Sequence, residues 1–183
     1  KIYKIDTNGK LSVFREESNH ANGLMFTGDG KLLACEMDGA VVAIDVASGE
    51  RTDLTSEYNG KRYNANNDLV IDKQGGIYFT DPRFRAPEPW PQGKEAVYYR
   101  SPKGKVTRLV EDLKAPNGVI LSPDEKTLYV IPSMSKEMMA YPVNADGTLG
   151  AGKVFCTLKQ PEGRDNTGGD GLTVDTQGNL YIT

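Results

Sequence analysis

Histidine is almost missing from this sequence. Its 183 residues hold one, His20, and only two cysteines, Cys35 and Cys156, far apart and in no Cys-x-x-Cys pair. A zinc centre of the usual Cys/His kind is therefore excluded, and the cysteines read as two buried free thiols. Unpaired thiols tilt the expected location toward the cytoplasm, with the periplasm as the alternative. No apolar run approaches the roughly 18 residues of a membrane-spanning helix, so no membrane partner is expected. Basic clusters are absent too, with 22 basic against 25 acidic residues and a net charge of −3. That balance argues against nucleic acid as a partner. No stretch sustains a helical period, and no Gly-x-Ser-x-Gly nucleophile elbow occurs. An initiator Met and a leader segment are lacking, and Lys1–Asp6 and Gly178–Thr183 both fall inside strand-like alternation. A segment of a longer protein is the expectation. What remains, 38% hydrophobic and 26% charged residues, is too apolar for a disordered chain and ordinary for a globular one.

An internal repeat organises the chain. Asn22-Gly23-Leu24-Met25-Phe26 leads, after Gly28-Asp29-Gly30, into Leu32–Glu36. Asn67-Asp68-Leu69-Val70-Ile71 leads, after Gly75-Gly76, into Ile77–Asp81. Asn117-Gly118-Val119-Ile120-Leu121 leads, after Ser122–Glu125, into Thr127–Val130. Asp170-Gly171-Leu172-Thr173-Val174 leads, after Gln177–Asn179, into Leu180–Thr183. The lead residues are 45, 50 and 53 positions apart. Each copy is an apolar strand, a polar turn and a second apolar strand, which is the signature of a β-hairpin. A second hairpin follows in each full copy, over 41–54, 96–110 and 138–156, and residues 2–14 match that second hairpin. Four antiparallel strands per 40–50 residues predict an all-β fold of propeller blades. The whole of 1–183 reads as one β-propeller domain, incomplete at both ends. It divides into a half blade over 1–19, blades over about 20–64, 65–114 and 115–160, and the start of another over 161–183.

The innermost strand of a blade lines the central channel, and the lead residues Asn22, Asn67, Asn117 and Asp170 stand just before it. They are expected to converge on one end of that channel from successive blades. Amide and carboxylate oxygens converging on one point suit a hard cation such as calcium, and a cation offsets the cost of a buried carboxylate. The competing reading is turn chemistry, since Asn-Gly and Asp-Gly tolerate left-handed backbone. Asn22 fits that reading alone, whereas the recurrence at Asn67, Asn117 and Asp170 favours the cation. Glu36, Asp81 and Ser133 follow their lead residues by 14 to 16 positions. A hairpin returns them to the channel mouth, as substrate contacts or as solvated loop residues. His20, just before Ala21-Asn22-Gly23, is a candidate to polarise a substrate oxygen or shuttle a proton. The proline-rich loop 82–95 carries the only Trp and is expected either to cover the mouth or to be a stiff decoration. In the loop 159–169, Arg164 and Asp165 are lesser candidates for substrate contact.

Taken together, His20-Ala21-Asn22-Gly23-Leu24, Asn64–Val70 with Tyr78–Pro82, Pro116–Val119 and Gly169–Leu172 resemble the gluconolactonase/regucalcin (senescence marker protein) family, most of all its bacterial gluconolactonase branch. The resemblance runs over essentially the whole chain. It implies a six-bladed propeller that hydrolyses a sugar lactone with one divalent cation in its channel, calcium first, with magnesium, manganese or zinc as alternatives. Asn117 and Asp170 match the family's metal ligands, and Asn67 matches an Asn beside the metal that contacts substrate or metal. The family's further ligand, a first-blade glutamate, has no match here. Asp170 is expected to act as a ligand first and as the base for water second, with Asn67, His20, Asp81 and Glu36 around the lactone. The paraoxonase and diisopropylfluorophosphatase groups share a similar Asn/Asp calcium site. An esterase or organophosphate hydrolase is therefore one alternative, and a propeller that only binds is another. Oligomeric state is left open.

Overall fold

The computed structural model describes residues 1–160, 162–163 and 168–183, which form eighteen β-strands. β1 (Ile2–Ile5) and β2 (Leu11–Arg15) make a hairpin. β3 (Ala21–Phe26), β4 (Leu32–Glu36), β5 (Ala40–Ile44) and β6 (Arg51–Thr55) make the first four-stranded antiparallel sheet. A short hairpin follows, β7 (Glu57–Tyr58) and β8 (Lys61–Arg62). The second four-stranded sheet is β9 (Leu69–Ile71), β10 (Ile77–Asp81), β11 (Ala96–Arg100) and β12 (Val106–Val110). The third is β13 (Pro116–Leu121), β14 (Thr127–Pro132), β15 (Glu137–Pro142) and β16 (Lys153–Thr157), and β17 (Leu172–Val174) pairs with β18 (Leu180–Ile182). Strands follow one another in sequence order from the inner to the outer edge of each four-stranded sheet. The first strands of successive sheets, β3, β9, β13 and β17, lie side by side. This is a segment of a β-propeller. The β7–β8 hairpin was not anticipated, although its turn, Asn59-Gly60, has positive φ at both residues (52° and 72°) and is a favoured two-residue hairpin sequence.

The core lies between the sheets, which explains why the middle strands are apolar without interruption. Side chains alternate across a strand. Leu33, Cys35, Val41 and Ala43 pack toward the second sheet with Leu69, Phe79 and Tyr98, whereas Leu32, Ala34, Val42 and Ile44 pack the other way with Ile2. The same division recurs in β10 and β11. Phe79 and Tyr98 face the first sheet, and Tyr78, Val97 and Tyr99 face the third. Both faces are therefore buried, and a polar residue in such a strand needs a specific partner. Cys35 is buried and Cys156 half-buried, and both are free.

Asn22 and Asn117 do not precede their strands. They lie inside β3 and β13, where the pairing register slips between Ala21 and Leu24 and between Pro116 and Val119. Each Asn-Gly pair is thus a β-bulge, which releases its backbone from the partner strand and re-aims it. The released groups bond to the next blade: Gly23 N–H donates to Asn67 O (2.7 Å) and Gly118 N–H to Asp170 O (2.9 Å). Neither glycine has positive φ. Their requirement is space: a Cβ on Gly23 would stand 2.7 Å from Asp68 Cα, and one on Gly118 2.7 Å from Asp170 O. Gly118→Ala is accordingly expected to force the third sheet and the β17–β18 hairpin apart, costing about 1–3 kcal/mol, read as a fall in the thermal midpoint. An unchanged midpoint would mean that the seam is slack.

Candidate cation and substrate site

Residues from four successive blades close around a single cavity of about 230 Å³, lined by Asn22, Gly23, Asn67, Asp68, Asn117, Asp170, Gly171 and Leu172. The bulges and the extended backbone before β9 and β17 bring all four lead residues to this point. Asn117 is buried and donates its side-chain Nδ2–H to Asp170 Oδ1 and to Ser133 Oγ, both at 2.9 Å. Asn67 is 3% exposed, yet among the described residues its side-chain amide has no hydrogen-bond partner. Asn67 lines the polar cavity, where a ligand or water can complete its amide, whereas the amide buried with both polar atoms unpartnered among the described residues is that of its neighbour Asn66. The remaining donors are a carboxylate and amides. Among the described residues no three His, Cys, Asp or Glu side chains gather to hold a metal ion. A cation here would be held by Asp170 and amide oxygens, a hard-oxygen set that fits calcium better than a thiolate- or imidazole-seeking ion.

A network of buried groups holds the Asn117 backbone. Thr80 Oγ1 donates to Asn117 O at 2.7 Å and accepts the Asp68 N–H at 3.1 Å. Asp68 Oδ2 accepts the Val119 N–H at 3.0 Å. Asp68 went unrecognised among the candidate residues because it reads as one more acidic turn residue beside Asn67. The signal was available: it stands where the three other blades carry Gly23, Gly118 and Gly171. Burial raises its carboxyl from 3.8 to about 6, with the Val119 and Leu69 N–H groups opposing the rise and nearby Asp170 adding to it.

The three residues expected together at the channel rim have three different fates, because their partners come from distant segments. Ser133 alone supports the cavity. Glu36 is 1% exposed and does not line it. Arg51 grips its carboxylate from Nε to Oε1 (3.0 Å) and from Nη2 to Oε2 (2.7 Å), and Asn19 Nδ2 adds 2.9 Å. Asp81 is fully buried and accepts the backbone N–H groups of Asn64 (3.0 Å) and Ala65 (2.9 Å). Burial raises its carboxyl to about 7 against those hydrogen bonds. Both carboxylates brace loops rather than face the cavity. His20 is exposed and bonded through Nδ1 to Asp38 Oδ1 at 3.0 Å. It lines a neighbouring cavity of about 420 Å³ that shares Asn22 with the first.

Loop 82–95 is tied down at its far half. Gln92 Nε2 donates to Lys61 O (2.8 Å), and Asn64 Nδ2 donates to Lys94 O (2.8 Å). Glu95 accepts the N–H groups of Arg83 and Ala115, each at 3.0 Å, and the Arg83 guanidinium lies 4.6 Å from the Trp90 ring centre. Arg164 and Asp165 lie outside the described residues.

Propeller blades that offer Asn, Asn, Asn and Asp to one small polar cavity define a class of channel-mouth, oxygen-donor sites. The chain belongs to the SMP-30/gluconolactonase/LRE-like family, whose sequence profile matches residues 1–183. It is 29% identical over 196 residues to a gluconolactonase of Zymomonas mobilis, covering 94% of this chain and 55% of that protein. It is 30% identical over 190 residues to lactonase drp35 of Staphylococcus haemolyticus, covering 100% of this chain and 56% of that one. In structure it is similar to a Xanthomonas campestris gluconolactonase, with TM-score 0.87 and 32% identity over 99% of this chain and 61% of that chain. It is also similar to a calcium-binding protein, regucalcin, of Agrobacterium tumefaciens, with TM-score 0.73 and 27% identity over 96% and 56% of the two chains. The chain spans about half the length of the two sequence relatives.

Proposed function

We propose that this chain carries the channel-mouth site of a lactonase that hydrolyses a sugar lactone with the help of one divalent cation, held by Asp170, Asn117 and Asn67. The observation that carries the reading is the convergence of Asn67, Asn117 and Asp170, from three successive blades, on one polar cavity. Family membership and the lactonase names of its relatives supply the reaction, and the calcium-binding relative favours calcium. A cation bound there would supply polarisation of the lactone carbonyl and a more acidic bound water. Asn117 contributes an amide oxygen, because its nitrogen is already spent on Asp170 and Ser133. Asp170 Oδ1 receives that Asn117 N–H, which leaves Oδ2 to serve as ligand or to take a proton from the attacking water. The role of ligand dominates, since a charge-paired carboxylate is a weak base. Asn67 orients the lactone or completes the ligand set, and exposed His20 contacts its outer hydroxyls across Asn22.

The test is proton release from D-glucono-δ-lactone, corrected for spontaneous hydrolysis, in the protein as purified, after chelation and after each of calcium, magnesium, manganese and zinc is restored. Turnover that vanishes on chelation and returns with calcium is expected. No turnover with any ion, in folded and cation-loaded protein, overturns the lactonase reading. Aryl-ester and organophosphate substrates run alongside decide whether the same site serves that other chemistry.

A further inference from the structure

We propose that Ser133 is a positioning residue that fixes which end of the Asn117 amide is presented to the cavity. The inference rests on Asn117 being a cation ligand, as argued above. Its basis is a count of protons. Ser133 Oγ lies 3.0 Å from the Gly169 carbonyl oxygen, which can only accept, so the single hydroxyl proton is committed there. Toward Asn117 the same oxygen has only lone pairs left. The group 2.9 Å away must therefore be the amide nitrogen. Asp170 Oδ1, 2.9 Å from that nitrogen, makes the same demand. Both hydrogens of Nδ2 are then used, and Oδ1 remains as the amide's one polar atom for the cavity.

The two acceptors are not equivalent. Asp170 is also a candidate ligand, and a cation competes with Asn117 for its oxygens. Ser133 is the acceptor that a cation leaves in place. Its own position is fixed at both backbone groups: its N–H donates to Ala115 O (2.9 Å), and its O accepts the Gly168 N–H (3.1 Å). The side chain therefore links the blade that carries Asn117 to the segment 168–170 that carries Asp170. Without the hydroxyl, the amide is released to turn over and offer the cavity NH₂, a donor, where a cation needs oxygen. By strand register the corresponding positions in the other two full blades are Met37 and Pro82, neither of which carries a hydroxyl. The hydroxyl occurs only in the blade whose lead Asn it holds.

The experiment is a double-mutant cycle read by calorimetric titration with calcium chloride, with Ser133→Ala, Asn117→Asp and the pair, each shown folded by thermal melting in chelator. Ser133→Ala is expected to weaken calcium binding about tenfold or more, as loss of a partner that orients a ligand commonly does. In the Asn117→Asp background, whose carboxylate offers oxygen at both ends, the same change is expected to matter by less than about twofold. Equal losses in both backgrounds would indicate general packing and overturn the positioning role, as would unchanged affinity in Ser133→Ala. A second reading needs no cation: the Asn117 side-chain NH₂ resonances of the calcium-free protein should move in Ser133→Ala, and unmoved resonances would remove Ser133 as their acceptor. If the unsubstituted protein binds no calcium, the ligand reading itself falls and this inference falls with it. Calcium binding that is insensitive to Ser133 sinks the inference alone.

Discussion

Asp170→Ala should abolish calcium binding and reduce lactone hydrolysis by on the order of 10³-fold while leaving the fold intact. The separation of the two effects follows from how Asp170 is held. Its backbone makes the structural contacts: its N–H donates to Thr183 O (2.7 Å), and its O accepts the Gly118 N–H (2.9 Å). Alanine keeps both. The side chain is exposed, so its removal leaves no cavity in the core, and the Asn117 nitrogen it releases still has Ser133. What is lost is the carboxylate that faces the shared cavity from β17's blade. Asn67 and Asn117 are neutral, and amides alone hold a divalent cation weakly. Three measurements decide the matter: cation content after dialysis, the thermal midpoint in chelator, and turnover with calcium in excess. Normal turnover at normal cation content would sink the assignment of Asp170. A large loss of stability in chelator would instead make it a structural residue.

The propeller was legible because its signals are local. A period of two with Gly- or Asp-containing turns marks each hairpin, and the uninterrupted apolar runs Leu32–Cys35 and Ile77–Phe79 mark sheets covered on both faces. The convergence of Asn22, Asn67, Asn117 and Asp170 was legible for the same reason: equivalent positions in a repeat share a location. The roles of the next residues were not, because they are set by partners far along the chain. Spacing put Glu36, Asp81 and Ser133 in one class. Arg51, the Asn64-Ala65 backbone and Asn117 then pull them into three. The lead glycines misled in another way. Asn-Gly reads as turn chemistry, yet Gly23 and Gly118 sit in bulged strands with ordinary φ, and the next blade's backbone excludes a side chain. Nothing in a single sequence distinguishes a glycine needed for its dihedral from one needed for close approach.

Arg51→Ala is expected to cost about 3 kcal/mol of stability and to leave calcium affinity unchanged. Glu36 is 1% exposed, so its charge has left water almost completely, and Arg51 supplies three of its hydrogen bonds and, among the described residues, its only cationic partner. Truncating Arg51 leaves a buried carboxylate with, among the described residues, a single neutral donor, Asn19, which is the costly way to break a buried pair. For a chain of this size the loss corresponds to a fall of roughly 10 °C in the thermal midpoint. Glu36→Gln removes the buried charge itself and leaves Arg51, which is partly exposed and also bonded to Asp53 at 2.8 Å, adequately paired. It should therefore cost less than Arg51→Ala, although it alters the carboxylate directly. That order is the informative result. If Glu36 brought its carboxylate to substrate, as its place at the end of β4 suggests, Glu36→Gln would depress turnover and Arg51→Ala would act through it, with stability little changed in either. A buried ion pair predicts the reverse: melting temperature moves, most for the arginine, and turnover in the surviving folded protein does not.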